Sequence, residues 1–109
     1  MITNEEVERA AAYIRDESPA HAKAKAERIY LSEFRKTKKA MLVSTQKGTI
    51  QERESYAYAH KDYIELLEGL RAAIEEEETI IWRIKAAQAK IEIWRTQQAN
   101  NRVIDGSHR

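Results

Sequence analysis

Residues 61–102, KDYIELLEGLRAAIEEEETIIWRIKAAQAKIEIWRTQQANNR, decide the fold of this chain. The stretch contains no proline and a single glycine, Gly69, and its apolar residues recur at helical spacing throughout. At 1.5 Å per residue it predicts a helix roughly 63 Å long. Its large apolar residues form a ladder with alternating three- and four-residue steps, interrupted only by Glu77 and Gln88, which is typical of a coiled-coil seam: Leu67, Leu70, Ile74, Ile81, Ile84 and Ile91.

The composition of the other residues fits the same kind of protein. Charged residues make up 34% of the 109 residues, and the chain has three glycines and one proline, a profile that long solvated helices share. The absence of cysteine excludes disulfides, thiolate zinc sites and cysteine nucleophiles. No apolar run approaches the length of a membrane span. Glu5, Glu6 and Glu8 occupy positions where a secretory signal needs basic and apolar residues. We therefore expect a cytoplasmic protein without a membrane partner.

Helix start and stop signals predict three helices, over residues 4–17, 19–46 and 50–102. Thr3 or Asn4 can cap the first helix, and Pro19 starts the second after a break. The turn Lys47-Gly48-Thr49 predicts that the chain reverses direction. A kink is expected near His60, and residues 103–109 are expected to fray. The sequence thus predicts a single all-α domain over residues 1–109. We expect a long antiparallel helical hairpin or coiled coil with a short N-terminal helix broken at Pro19, completed by oligomerisation.

The distribution of charge supports this hairpin. Residues 1–18 carry a net charge of −3, residues 19–47 carry +6, residues 48–78 carry −6 and residues 79–109 carry +4. If the chain reverses at Gly48, residue i faces roughly residue 96 − i, and acidic segments lie along basic ones on both sides of Pro19. Exposed ion pairs contribute only about 0–1 kcal/mol each. The charge pattern therefore selects orientation more than it supplies stability.

The long helix also carries a second apolar strip, on the side nearly opposite its seam: Trp82, Ala86, Ala89 and Ile93. One partner helix within the chain can cover only one of two opposite faces. We therefore predict that these four residues and Trp94 form a protein interface, with a homodimer as the favoured assembly. Exposed tryptophan beside arginine also suits base stacking, and ordinary hydrophobic packing in an oligomer is the simpler alternative.

A cluster of basic residues in the second helix provides the strongest indication of nucleic-acid binding. On a helical wheel the cluster spans about 100° and could contact phosphates. It comprises Lys25, Arg28, Arg35, Lys36 and Lys39. The alternative is a solvated face balanced by the acidic arm opposite.

No catalytic, metal-binding or cofactor-binding constellation is present. Four consecutive glutamates, at 75–78, point around a helix in different directions and cannot converge on one ion. The histidines His21, His60 and His108 lack metal-ligand spacing. The sequence therefore predicts a protein that is not an enzyme and needs no cofactor.

The stretch from about Glu54 to Arg102 resembles a group of small helical proteins of temperate bacteriophages, often encoded beside early recombination and replication functions. The resemblance lies in Tyr58-Ala59-His60, Asp62-Tyr63-Ile64, Leu66-Leu67-Glu68-Gly69-Leu70, Trp82, Trp94-Arg95 and Asn100-Asn101-Arg102. The group has no established catalytic motif, so the resemblance implies a setting and no specific activity. It implies phage DNA metabolism in the cytoplasm of the bacterial host.

The sequence leaves two functions open. The first is a non-enzymatic accessory of phage DNA recombination or replication, which binds nucleic acid or a recombination or replication protein of the phage or host. The second is an oligomeric helical adaptor, or an inhibitor, that docks on a host protein without contacting DNA. Binding to DNA that weakens steeply with salt would favour the first. Loss of partner binding in tryptophan variants that keep their helicity would favour the second.

Overall fold

The computed structural model describes residues 1–107, and every regular element in that range is an α-helix. Helix α1 spans Asn4–Ser44, α2 spans Ile50–Ala59 and α3 spans Lys61–Ser107. The all-α prediction is confirmed. Over the same residues, the structure contains no helix long and apolar enough to cross a membrane.

Contacts divide the chain into two compact units. Unit 1 combines residues 1–21 with the described residues from Thr79 onward, and unit 2 consists of Ala22–Glu78. Each unit pairs a stretch of α1 with a stretch of α3, and unit 2 also contains the turn and α2.

In unit 1, the start of α1 runs antiparallel to the later part of α3. The backbone N–H of Ile2 donates a hydrogen bond to Gln97 Oε1 (3.1 Å), and Trp94 Nε1 donates to Asn4 Oδ1 (2.9 Å). Residue numbers that rise on one helix meet falling numbers on the other, as a hairpin requires. These pairs sum to 99 and 98, close to the predicted register of 96.

In unit 2, the later part of α1 runs antiparallel to the start of α3. Arg28 donates two hydrogen bonds to the carboxylate of Glu77, one of them from Nη2 at 3.2 Å, and Lys38 Nζ lies 3.6 Å from Asp62 Oδ2. The predicted matching of basic and acidic segments is therefore present here. The Arg28–Glu77 pair sums to 105, so the register differs from the prediction by nine residues at this point.

The predicted break at Pro19 is wrong, because α1 continues through this residue. An interior proline removes one helical hydrogen bond and crowds the preceding turn, which costs about 3 kcal/mol. Pro19 lies on the exposed side of α1, as does Arg15, whose carbonyl would have accepted the missing bond, so water can reach that side of the helix. The buried Ala10 and Ala24 hold the helix before and after this position. Tertiary packing therefore outweighs the local stop signal.

The remaining helix ends follow identifiable caps. The hydroxyl of Thr3 accepts from the N–H of Glu6 (3.1 Å), and the Thr3 N–H donates to the Glu6 carboxylate (2.8 Å), a reciprocal capping box. Gly48 has φ of +121°, a conformation that favours glycine, and the predicted chain reversal occurs there. The hydroxyl of Thr49 then caps α2 by accepting from the N–H of Glu52 (3.1 Å).

Two predicted boundaries near the ends of helices need correction. Helix α1 ends at Ser44 instead of residue 46. The next residue, Thr45, turns back and donates hydrogen bonds from both its N–H and its hydroxyl to the carbonyl of Leu42. Helix α3 ends at Ser107 instead of residue 102, so it includes residues 103–107 of the tail that was predicted to fray. Residues 108 and 109, which include the predicted non-ligand His108, lie outside the described range.

The seam of α3 differs from the predicted ladder by one residue at every second position. Its buried and half-buried positions alternate at three- and four-residue steps from Tyr63 to Asn101. They include Leu70, Ile84 and Ile91 of the predicted ladder, whereas Leu67 and Ile74 are 38% and 43% exposed. The observed seam instead uses Leu66, Ala73, Ile80 and Ala87. Small alanine side chains allow two helices to approach closely, and a ladder chosen for large residues misses them.

Candidate interaction surface on helix α3

The second apolar strip lies on the exposed outer side of α3, within unit 1. Trp82 is 62% exposed and Ile93 is 51% exposed, and Ala86 and Ala89 between them are exposed as well. Within each heptad of the seam, these four residues lie either two or five positions after the first seam residue. Both positions are on the side of the helix opposite the seam. The two-faced character predicted for this part of α3 is therefore present, and its role as an interface stays a prediction.

Charged side chains border this strip. Lys85 Nζ lies 4.4 Å from the ring centroid of Trp82, in cation–π geometry. Further along, Glu92 forms an ion pair with Arg95 at 3.0 Å. Thr96 follows at the end of the strip, and its hydroxyl donates to the carbonyl of Glu92 (3.1 Å). The strip is thus an apolar centre with a polar border, the pattern that protein interfaces show.

Two shallow grooves adjoin the strip in unit 1. One, of about 270 Å³, is lined by Glu92, Ile93, Thr96 and Gln97. The other, of about 280 Å³, is lined by Ala86 together with Glu6, Arg9, Ala10, Tyr13, Ala87 and Lys90. Both are smaller than the ~300–1,000 Å³ of typical small-molecule sites. Their size suits single side chains of a docking protein better than a cofactor.

Trp94 does not belong to this strip. It is half-buried at a seam position, and its indole N–H is bonded to Asn4. The structure thus separates the two tryptophans that the sequence grouped in one interface: Trp82 faces outward, and Trp94 packs within unit 1. The sequence marks Asn4 only as a possible helix cap, so its hydrogen bond to Trp94 was not predicted.

The structure does not present the basic cluster of α1 as one exposed face. Arg28 is bonded to Glu77, and the Nε of Arg35 is buried at a seam position of α1. Lys39 Nζ donates to the hydroxyl of Tyr58 (2.5 Å). Lys25 and Lys36 are exposed, and Lys36 lies 3.6 Å from Glu33. The interpretation of the cluster as a basic arm balanced by an acidic one accounts for Arg28, which pairs with Glu77, whereas Lys39 bonds a tyrosine hydroxyl.

The pKa shifts in the described chain favour charged side chains. A hydrogen bond from the N–H of Thr3 lowers the pKa of Glu6, and the nearby charges of Lys90 and Arg9 act in the same direction. Hydrogen bonding to Glu77 raises the pKa of Arg28. Hydrogen bonding to Tyr58 raises the pKa of Lys39. Such shifts move these groups away from neutral pH, whereas general acid–base catalysis requires a pKa close to it.

The histidines have structural surroundings. His60 separates α2 from α3, and its Nδ1 accepts a hydrogen bond from the N–H of Asp62 (3.0 Å). It therefore acts as the N-cap of α3, which explains the break that the sequence predicted near this residue. His21 is half-buried in α1. Among residues 1–107, no group of three or more His, Asp or Glu side chains is placed to hold a metal ion.

Comparisons with protein-family models, with curated proteins and with solved structures give no match to this chain. The geometry of the exposed strip is therefore the basis for the functional proposal that follows.

Proposed function

We propose that this chain is a helical adaptor that binds another polypeptide through the strip formed by Trp82, Ala86, Ala89 and Ile93. The exposure of this strip carries the proposal. A coiled-coil helix needs only one apolar face to pack on its partner arm, and α3 has two in this region. A large exposed aromatic residue flanked by small residues is the kind of surface at which binding energy concentrates.

The phage resemblance adds a setting to this proposal. In that setting the adaptor would act in the cytoplasm of the bacterial host and bring together proteins of phage or host DNA metabolism. Such a role needs no catalytic group and no cofactor.

Site-specific photocrosslinking tests the proposed surface directly. A benzoylphenylalanine placed at position 83, an exposed residue on the border of the strip, should crosslink to protein in bacterial cells that express the chain. The same probe at position 65, which is exposed on the outer side of α3 in unit 2, serves as the control and should give no such product. If position 83 crosslinks no more than position 65, the strip is not an interaction surface.

Nucleic-acid binding is the second candidate function, and the exposure of Lys25 and Lys36 favours it. Two phosphate contacts would give binding that weakens with salt, and their loss would reduce the salt slope by about one for each lysine. Fluorescence anisotropy with labelled single- and double-stranded DNA at ~50 mM salt, where phosphate contacts are strong, measures this. The double variant Lys25→Gln/Lys36→Gln should then show the smaller slope. No binding by the unmodified chain would exclude direct contact.

A further inference from the structure

The order of residues along the strip is the same in both directions. Between Thr79 and Thr96, the residues on this outer side of α3 are Thr79, Trp82, Ala86, Ala89, Ile93 and Thr96. Successive residues are 3, 4, 3, 4 and 3 positions apart. Their side chains are, in order, polar, large, small, small, large and polar. Reversal of the helix leaves both the spacing and the chemical order unchanged.

A two-fold symmetric interface requires a patch of this kind. In a dimer with two-fold symmetry the same surface occurs on both subunits, so each residue must complement its symmetry mate. If residue i of one copy faces residue 175 − i of the other, Trp82 meets Ile93 and Ala86 meets Ala89. The alanine pairs at the centre permit close approach of the helices, and the large side chains of Trp82 and Ile93 pack against each other on either side of that centre.

Charge favours the same antiparallel arrangement along one edge of the strip. Lys85 precedes Ala86 by one residue and Glu92 precedes Ile93 by one residue, so both lie on this edge. Reversal of one copy brings Lys85 of each chain next to Glu92 of the other, which gives two opposite-charge pairs.

The other edge carries Arg83 and Lys90, which would approach each other in such a dimer. Lys90 lies close enough to Glu6 of its own chain to lower the pKa of that carboxyl group. The acidic neighbour therefore offsets part of the repulsion along this edge.

We infer that the polypeptide bound by the strip proposed above is a second copy of this chain. The two α3 helices pack antiparallel about a two-fold axis between Ala86 and Ala89. The contact covers residues 79–96 of each copy, about 27 Å of helix.

Sedimentation equilibrium of the purified chain tests this assignment. The expected mass is twice the 12.7 kDa of one copy. Trp82→Ala should raise the dimer Kd by at least about 30-fold, the effect of removing an aromatic hot spot. Ile74→Ala, at an exposed isoleucine of unit 2, is the matched control and should leave the Kd unchanged. Circular dichroism confirms that both variants remain helical.

A charge-exchange experiment tests the register. Lys85→Glu and Glu92→Lys should each weaken self-association, roughly 5- to 30-fold, because each places two like-charge pairs in its own dimer. A mixture of the two variants should restore dimers to the original affinity, because both edge pairs are again of opposite charge. If the mixture dimerises no better than its components, the antiparallel register is wrong.

The possible failures are distinguishable. A chain that stays monomeric at ~100 μM, while position 83 still crosslinks to a different protein in cells, overturns the second-copy assignment and leaves the adaptor role standing. A dimer that is unaffected by Trp82→Ala also overturns the assignment, because the two copies then meet elsewhere. A monomer that crosslinks to nothing overturns both proposals.

Discussion

Removal of the Trp82 side chain and removal of the Trp94 side chain should affect different properties of the chain. Trp94→Ala deletes a half-buried indole that donates a hydrogen bond to Asn4, whereas Trp82→Ala deletes a side chain that is 62% exposed. We expect only the first substitution to reduce the stability of the single chain appreciably. The second should reduce association instead.

The size of the difference follows from area and hydrogen bonding. The better covered indole hides roughly 50–100 Å² more surface, out of the ~150–250 Å² that an aromatic side chain buries in full. At about 25 cal/mol per Å² this corresponds to about 1–2.5 kcal/mol. The hydrogen bond to Asn4 adds about 1 kcal/mol. Trp94→Ala should therefore cost about 2–3 kcal/mol more than Trp82→Ala.

Urea unfolding followed by circular dichroism at 222 nm measures the loss of stability in both variants. Tryptophan fluorescence is less suitable, since each substitution removes one of the two tryptophans. With a slope of about 1–3 kcal/mol per molar urea, the midpoints of the two variants should differ by roughly 1–2 M. The measurement belongs at a protein concentration where the chain is monomeric, so that association does not contribute. Asn4→Ala is the control and should lose about 1 kcal/mol, the share of the hydrogen bond. Equal losses for Trp82→Ala and Trp94→Ala would refute the separation of the two tryptophans.

Three further predictions concern the helices themselves. Gly48→Ala should destabilise the chain by about 1–2 kcal/mol, because a residue with a side chain is strained at this positive φ. Gly69→Ala has open space and should stabilise it by about 1 kcal/mol, so thermal unfolding should show shifts of opposite sign. Ile80→Ala should cost about 2–5 kcal/mol and Ile74→Ala much less in urea unfolding, and the reverse order would restore the predicted seam. The lowered pKa of Glu6 means that its stabilising contribution is present above its ordinary pKa of 4.5 and is lost as pH falls through the lower folded value. Glu6→Gln should therefore flatten the acid limb of a stability-against-pH curve, and an unchanged limb would show that this carboxyl group contributes nothing.

Positions where the backbone itself imposes a choice could be predicted from the sequence. Gly48 marks the reversal because few other residues adopt a positive φ. The break near His60 was also predictable, since the helical pattern weakens there. Pro19 shows the limit of such local signals: its cost is real, but residues on either side are packed, and the helix continues through it.

Positions that depend on the partner helix could not be predicted in the same way. The ladder through Leu67 and Ile74 and the seam through Leu66 and Ala73 share Leu70 and Ile84, so they differ by a rotation of only about 50°, and periodicity alone fits both. Which of the two sets packs against α1 depends on the surface of α1. In the structure, the set with the smaller side chains packs there. The basic cluster illustrates the same point, because a wheel drawn for one helix cannot show that Arg28 turns toward Glu77.

The exposed strip on α3 was accessible to sequence reasoning for the opposite reason. Two apolar faces on one helix exceed what a single partner arm covers, whichever of the two is the seam. That conclusion holds although the seam differs from the predicted ladder. It depends on the number of apolar faces of α3, and not on which of them packs against α1.

The alanines of the core have a consequence for how this chain tolerates change. Ala10, Ala24, Ala57 and Ala73 are at most 7% exposed, and Ala57 is completely enclosed. Cores built from large side chains are damaged mainly when atoms are removed, because a cavity remains. Here the vulnerable direction is the addition of atoms, since even one or two methylenes act as a wedge between helices that are already in contact. Valine or leucine at these positions would force neighbouring helices apart, so growth is the damaging change at the core alanines, whereas truncation is the damaging change at a large core residue such as Ile80.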